Sequence, residues 1–164
     1  MYAGHVAAAL ALRGRAREIP VTAFIIGAFV LDLLWISFGV LEIDHTPWTD
    51  LSHSLVMAIL WASIFAMLFW KYGRRGVLAL WMAVFSHYVL DLIVQGASLY
   101  PNATRSLLIP ALVTTYARPL QLGLCILFLL IFLNDERRAR VLTWRSWAAC
   151  SVVLALNARF LLGV

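Results

Sequence analysis

The succession of apolar runs at 21–40, 51–70, 77–98, 119–133 and 147–162 limits what this chain can fold into more than any other feature. A helix of about 20 apolar residues crosses the roughly 30 Å hydrocarbon core of a bilayer. Runs of that length predict transmembrane helices, not the short strands of a soluble sheet. With 63% hydrophobic and 13% charged residues, the chain has too little polar surface to clothe such runs in water. The expected fold is therefore all-α: a polytopic transmembrane helical bundle of about five full spans within one integral membrane domain. The run at 2–12 is too short to cross at 1.5 Å per residue, and is expected as a partial span or a helix packed on the others. Its apolar stretch precedes the nearby arginines instead of following them, and no cleavage site follows, so a signal peptide is not expected.

The net charge of +5 does not point to nucleic acid, because the basic residues form no helix face. They fall in short clusters between the apolar runs: Arg13, Arg15 and Arg17; then Lys71, Arg74 and Arg75; then Arg137, Arg138, Arg140 and Arg145. These are ten of the thirteen, and they occupy alternate loops. By the positive-inside rule those loops are cytoplasmic, which predicts a multi-pass protein of a bacterial inner membrane. The loop at 41–50, with Glu42, Asp44 and Asp50 and no basic residue, then faces the exterior. So does the stretch 100–118. Trp48, Trp70, Tyr72, Tyr100 and Trp144 fall at the expected interfaces, where aromatic rings anchor spans. Cys125 and Cys150 lie inside apolar runs and are read as small buried hydrophobes.

Against this apolar background the ionisable residues stand out. One at the bilayer centre costs about 2.5–3.5 kcal/mol by insertion scales, so each is a functional candidate. Asp32 lies just past the middle of the first full span, His53 at the exterior start of the second, and His87 and Asp91 in the third. His5 lies toward the same side if its helix starts outside. Spacing of four puts His87 and Asp91 on one helix face, with Gln95 a further turn along. Asp50 and His53 have a comparable spacing of three. Imidazole and carboxylate together suit a divalent metal: zinc, manganese or iron. Blander readings exist for each residue alone. His45 fits an interfacial role, Asp44 and Asp50 a solvated loop, and His87 with Asp91 a hydrogen-bonded packing pair. Three helices placing their costly groups at similar depth favour a site.

The residues also carry a resemblance. Gly4-His5, Leu31-Asp32-Leu33, Ser52-His53-Ser54-Leu55 and Ser86-His87-Tyr88-Val89-Leu90-Asp91 resemble, in that order, the bacterial membrane-bound, metal-dependent hydrolases called YdjM-like, and related small membrane proteins. The resemblance covers roughly residues 4–101. It implies a helical membrane protein whose metal ligands are His5, Asp32, His53, His87 and Asp91. One family histidine would fall at Trp48, and Asp50 or His45 is the available substitute. The expected function is a membrane-embedded hydrolase acting at the exterior leaflet on a lipid or another amphipathic ester or phosphoester, with zinc as the expected ion and Asp50 as ligand or general base. The alternatives are a non-catalytic subunit of a larger membrane complex or a homo-oligomer, a haem anchor ligated by His53 and His87, and an ion path through Asp32 and Asp91. Ser52, Ser54 and Ser86 are read as helix caps or hydrogen-bond partners of the histidines, not as nucleophiles.

Overall fold

A computed structural model describes residues 2–41, 50–94, 96–101 and 110–162, with backbone alone at 2, 50, 110–118 and 158–162. The protein is all-helical. In chain order the helices are α1 (Tyr2–Arg13), α2 (Val21–Val40), α3 (Asp50–His53), α4 (Leu55–Met67), α5 (Gly73–Val94), α6 (Pro110–Arg138) and α7 (Trp144–Leu162). Among the described residues, three stretches are long and apolar enough to cross a membrane: Val21–Val40, Trp70–Val94 and Pro119–Arg138. These mark a membrane protein.

The two other expected spans differ for separate reasons. The run at 51–70 is interrupted: α3 ends at His53, Ser54 is extended, and α4 then has only 13 residues, about 20 Å. Ser54 bridges to Ser98, and the amides of Leu55 and Val56 donate to the carbonyls of Ser98 and Leu99 at 2.9 and 3.2 Å. Those bonds satisfy donors that the break would otherwise orphan in an apolar setting. In α7, 19 residues suffice for length, but Arg145, Ser146 and Asn157 dilute its apolar character. Pro20 is the residue before α2, extended at ψ 138°, and its carbonyl accepts from the Ala23 amide at 3.0 Å. Lys71 lies in a short 3-10 turn (Trp70–Tyr72), while Arg74 and Arg75 belong to the first turn of α5, not to a loop. The reversal between them relies on Gly73, whose φ of 73° favours glycine.

The short helix α1 packs against α2, α5, α6 and α7. Ala3, Ala7, Ala8, Ala9 and Ala11 are all buried. Alanine around the whole circumference lets neighbouring backbones approach from every side, which explains how a 12-residue helix becomes the centre of the bundle. The same device recurs on α4, where Ala58, Ala62 and Ala66, one turn apart, are fully buried. At Gly27 of α2 a Cβ would come within 3.3 Å of Phe65 and Val84, so α2 seats closely on α4 and α5. Large apolar side chains point outward instead: Ile26 and Leu33, Val56 and Leu60, Leu78 and Met82, Leu127 and Leu130, Val152 and Leu156. Phe24, Leu31 and Leu80 are fully buried beside these alanines, so the interior combines close backbone approach with bulky filling, and the outward apolar side chains suit a lipid surround.

At one end, Glu136 of α6 is buried beside Arg13 and Arg17, at 3.6 and 3.7 Å, and accepts from the Ser146 hydroxyl at 3.2 Å. Arg17 also donates to the carbonyl of Asp135. This network joins the α1–α2 turn to α6 and α7. The histidines lie at the other end, because His5 precedes Arg13 by eight residues on one helix, about 12 Å.

Candidate metal centre

Four segments deliver five side chains to one place: His5 from α1, Asp32 from α2, His53 from α3, and His87 and Asp91 from α5. Along α5, His87 and Asp91 are 12 and 16 residues from Arg75, about 18 and 24 Å deeper than the arginine end. The side chains of His5 and His87 are essentially sealed, at 2% and 1% exposure, and that of Asp91 is 11% exposed. The side chains of Asp32 and His53 keep 22% and 18%. The centre therefore has a closed side on α1 and α5 and an open side on α2 and α3.

The geometry turns on His87. Its Nδ1 lies 2.7 Å from the carbonyl oxygen of Ala28. A carbonyl only accepts, so Nδ1 carries the proton and donates it. Nε2 is left to face two carboxylates, Asp91 Oδ2 at 3.2 Å and Asp32 Oδ1 at 3.5 Å, and it forms no hydrogen bond with either. His53 repeats the pattern. Its Nδ1 lies 2.7 Å from the Ser52 hydroxyl, while Nε2 lies 3.4 Å from Asp32 Oδ1 and 3.8 Å from Asp91 Oδ2. His5 presents Nε2 to the other oxygen of Asp91 at 3.4 Å, and its ring stacks on His87 with centroids 3.8 Å apart and planes within 5°. The Asp32 Oδ2 atom is buried without a hydrogen-bond partner.

These separations fit ligands around an ion better than hydrogen bonds. N–H···O bonds cluster at about 2.9–3.0 Å. Two ligands each about 2.05 Å from one tetrahedral zinc stand roughly 3.3 Å apart. The contacts of 3.2–3.8 Å straddle that edge. Among the described residues two groups of three have ligand atoms within 4.8 Å of one another: His5, His87 and Asp91, and Asp32, His53 and His87. His87 belongs to both. Two carboxylates that share the same imidazoles in a low-dielectric interior are stabilised by positive charge between them, which a divalent ion or a protonated imidazole supplies. The residues present thus fit a divalent ion, and the second nitrogens of His87 and His53 are already held in the way that orients metal-binding imidazoles.

All five residues expected as metal ligands on sequence grounds are brought together. Asp50, the expected general base, begins α3 three residues before His53, with its side chain outside the described residues. Asp44, His45, Trp48 and Gln95 also lie outside them. Of the three serines, Ser52 partners His53 as anticipated. Ser86 donates to the carbonyl of Ala83 in its own helix, and Ser54 precedes α4 without a side-chain capping bond. Cys125 and Cys150 are free, buried in an apolar cluster with Ala7, Leu129 and Phe132. Two supports had no sequence signal. The Ala28 carbonyl is a backbone atom in an apolar run. The Trp61 indole donates to the carbonyl of Leu51 at 2.9 Å, which pins α3 to α4 and so fixes His53. Compared with family models, curated proteins and solved structures, the chain matches none of them.

Proposed function

We propose that this chain is an integral membrane, metal-dependent hydrolase of the YdjM-like kind. Its site lies near the membrane face opposite the arginines, and its substrate is a lipid or another amphipathic ester or phosphoester. The observation that carries the reading is His87 Nε2 set between two carboxylates, at 3.2 and 3.5 Å, with no hydrogen bond to either. A metal bound there supplies Lewis acidity toward a carbonyl or phosphoryl oxygen. Zinc is the preferred ion, from the donor set, with manganese and iron as the alternatives. His5, His87 and Asp91 hold it from the closed side. Asp32 and His53 complete the set from the open side, where a substrate reaches the site, and Asp50 is the candidate proton acceptor.

The apolar outer faces of α4 and α7 support five crossings, α3 and α4 together making the second. The alternating arginine clusters support cytoplasmic loops in a bacterial inner membrane. The haem alternative is disfavoured, since the rings of His53 and His87 have centroids 5.2 Å apart, which leaves no room for a macrocycle between them. Elemental analysis of the purified protein is the direct test. Near-stoichiometric metal is expected, lost in His87→Ala and Asp91→Ala, together with turnover of an amphipathic ester or phosphoester by the wild type alone. Folded wild-type protein that takes up no metal overturns the proposal. Metal without turnover across such a panel favours a non-catalytic subunit.

A further inference from the structure

The arginines of the first cluster have different neighbours. Arg13 and Arg17 flank the buried Glu136, whereas Arg15, between them, is exposed and makes no ion pair among the described residues. Arg15 stands at the mouth of a groove of about 620 Å³ between α1 and α5, lined by Leu12, Arg15, Arg75, Leu78, Ala79 and Met82. That volume is in the range of small-molecule sites, about 300–1,000 Å³. Its α5 wall is one helix face: Arg75, then Leu78 and Ala79 a turn on, then Met82. On the α1 side Leu12 and Arg15 are three apart. Both walls therefore run from an arginine at the bundle's charged end to apolar side chains deeper in, about 10 Å from Arg75 to Met82. The small buried Ala79 makes the floor between the exposed Leu78 and Met82.

Charge singles out the occupant. Arg75 lies in the first turn of α5, at the positive end of its dipole; that turn carries no acidic residue of its own, and a carboxylate set against it, Glu18, lies with Oε1 3.6 Å from where a Gly76 Cβ would stand. Arg15 also borders a second depression, of about 430 Å³, which it shares with Arg17, Arg138 and a single carboxylate, Asp135. A ligand with one anionic group and an apolar tail satisfies the whole groove, and a membrane supplies one at this depth. We propose that the groove seats an anionic phospholipid, with its phosphate between Arg15 and Arg75 and an acyl chain along Leu12, Leu78 and Met82. This site lies at the opposite end of the bundle from the histidines and does not depend on their chemistry.

The test uses the intact protein in mild detergent, offered an equimolar mixture of phosphatidylglycerol and phosphatidylcholine and read by native mass spectrometry. Wild-type protein should retain phosphatidylglycerol preferentially. R15A/R75A should lose that retention about tenfold or more. R74A, which alters a neighbouring groove with Trp70 and Trp81, should keep it. R75E, a single change at an exposed position, serves where the double variant does not fold, and should lose retention too. Equal uptake of both lipids by the wild type, or wild-type retention in R15A/R75A or in R75E, overturns the proposal.

Discussion

The hydrogen bond from His87 Nδ1 to the Ala28 carbonyl decides which face of the ring is left for chemistry, because it commits one nitrogen and turns the other toward Asp32 and Asp91. A packing histidine would be expected to use both nitrogens in hydrogen bonds; this one leaves Nε2 with none. His53 is oriented in the same way by a side chain, the Ser52 hydroxyl at 2.7 Å, and that bond can be removed without touching a ligand. Ser52→Ala should lower metal affinity about 10–100-fold, the usual effect of losing a partner behind a metal-binding imidazole. Competition with a chromophoric chelator measures it, and the helix content of the metal-free variant should match the wild type. Unchanged affinity would mean that His53 is not a ligand. His5 is held differently, by stacking on His87 at 3.8 Å, so the two rings position each other.

At the scale of elements, α1 and the α3–α4 break are the two places where helix chemistry and membrane packing depart from a simple count of spans. The alanines of α1 are its function in the fold: a helix without bulk is the one that four others can surround. Ala7 is fully buried against Leu129 and Phe132 of α6, so Ala7→Leu should destabilise the bundle by about 1–3 kcal/mol through overpacking. Leu60→Ala, on the outward face of α4, should cost less than about 0.5 kcal/mol, since it exchanges one lipid-facing apolar side chain for another. Thermal unfolding of both variants in the same detergent separates the two cases, and similar losses would put Leu60 inside a protein contact. Apolar runs and arginine clusters made the long helices legible, and the i, i+4 spacing put His87 and Asp91 on one face. The break at Ser54 was not legible, because its compensating carbonyls, Ser98 and Leu99, lie more than forty residues away. The central place of α1 was hidden for a related reason: alanine is mildly apolar everywhere and marks no face.

The whole molecule divides its ionisable groups between two ends, and they are handled in opposite ways. At the arginine end, Glu136 is matched by Arg13, Arg17 and Ser146, so its burial is compensated within the protein. The sequence showed the arginines but not this use of them, since the acid that joins them is over a hundred residues distant. At the histidine end, two carboxylates meet three imidazoles. If the centre is built for a metal ion, Asp32 and Asp91 repel each other when the ion is absent. This gives Asp91→Asn a sign that separates a metal site from a packing pair. If the carboxylates await an ion, the substitution removes repulsion, and the metal-free protein becomes more stable by about 1–3 kcal/mol, as at many functional sites. If Asp91 only ties His5 and His87 into the bundle, the same change breaks a buried pair and lowers stability. Zinc completes the test: at about 100 times its dissociation constant it should add about 2.7 kcal/mol to the wild type and nothing to Asp91→Asn. Unfolding curves with chelator and with zinc, for both proteins, give all four values. A variant less stable than the wild type in chelator would return His87 and Asp91 to the role of helix packing.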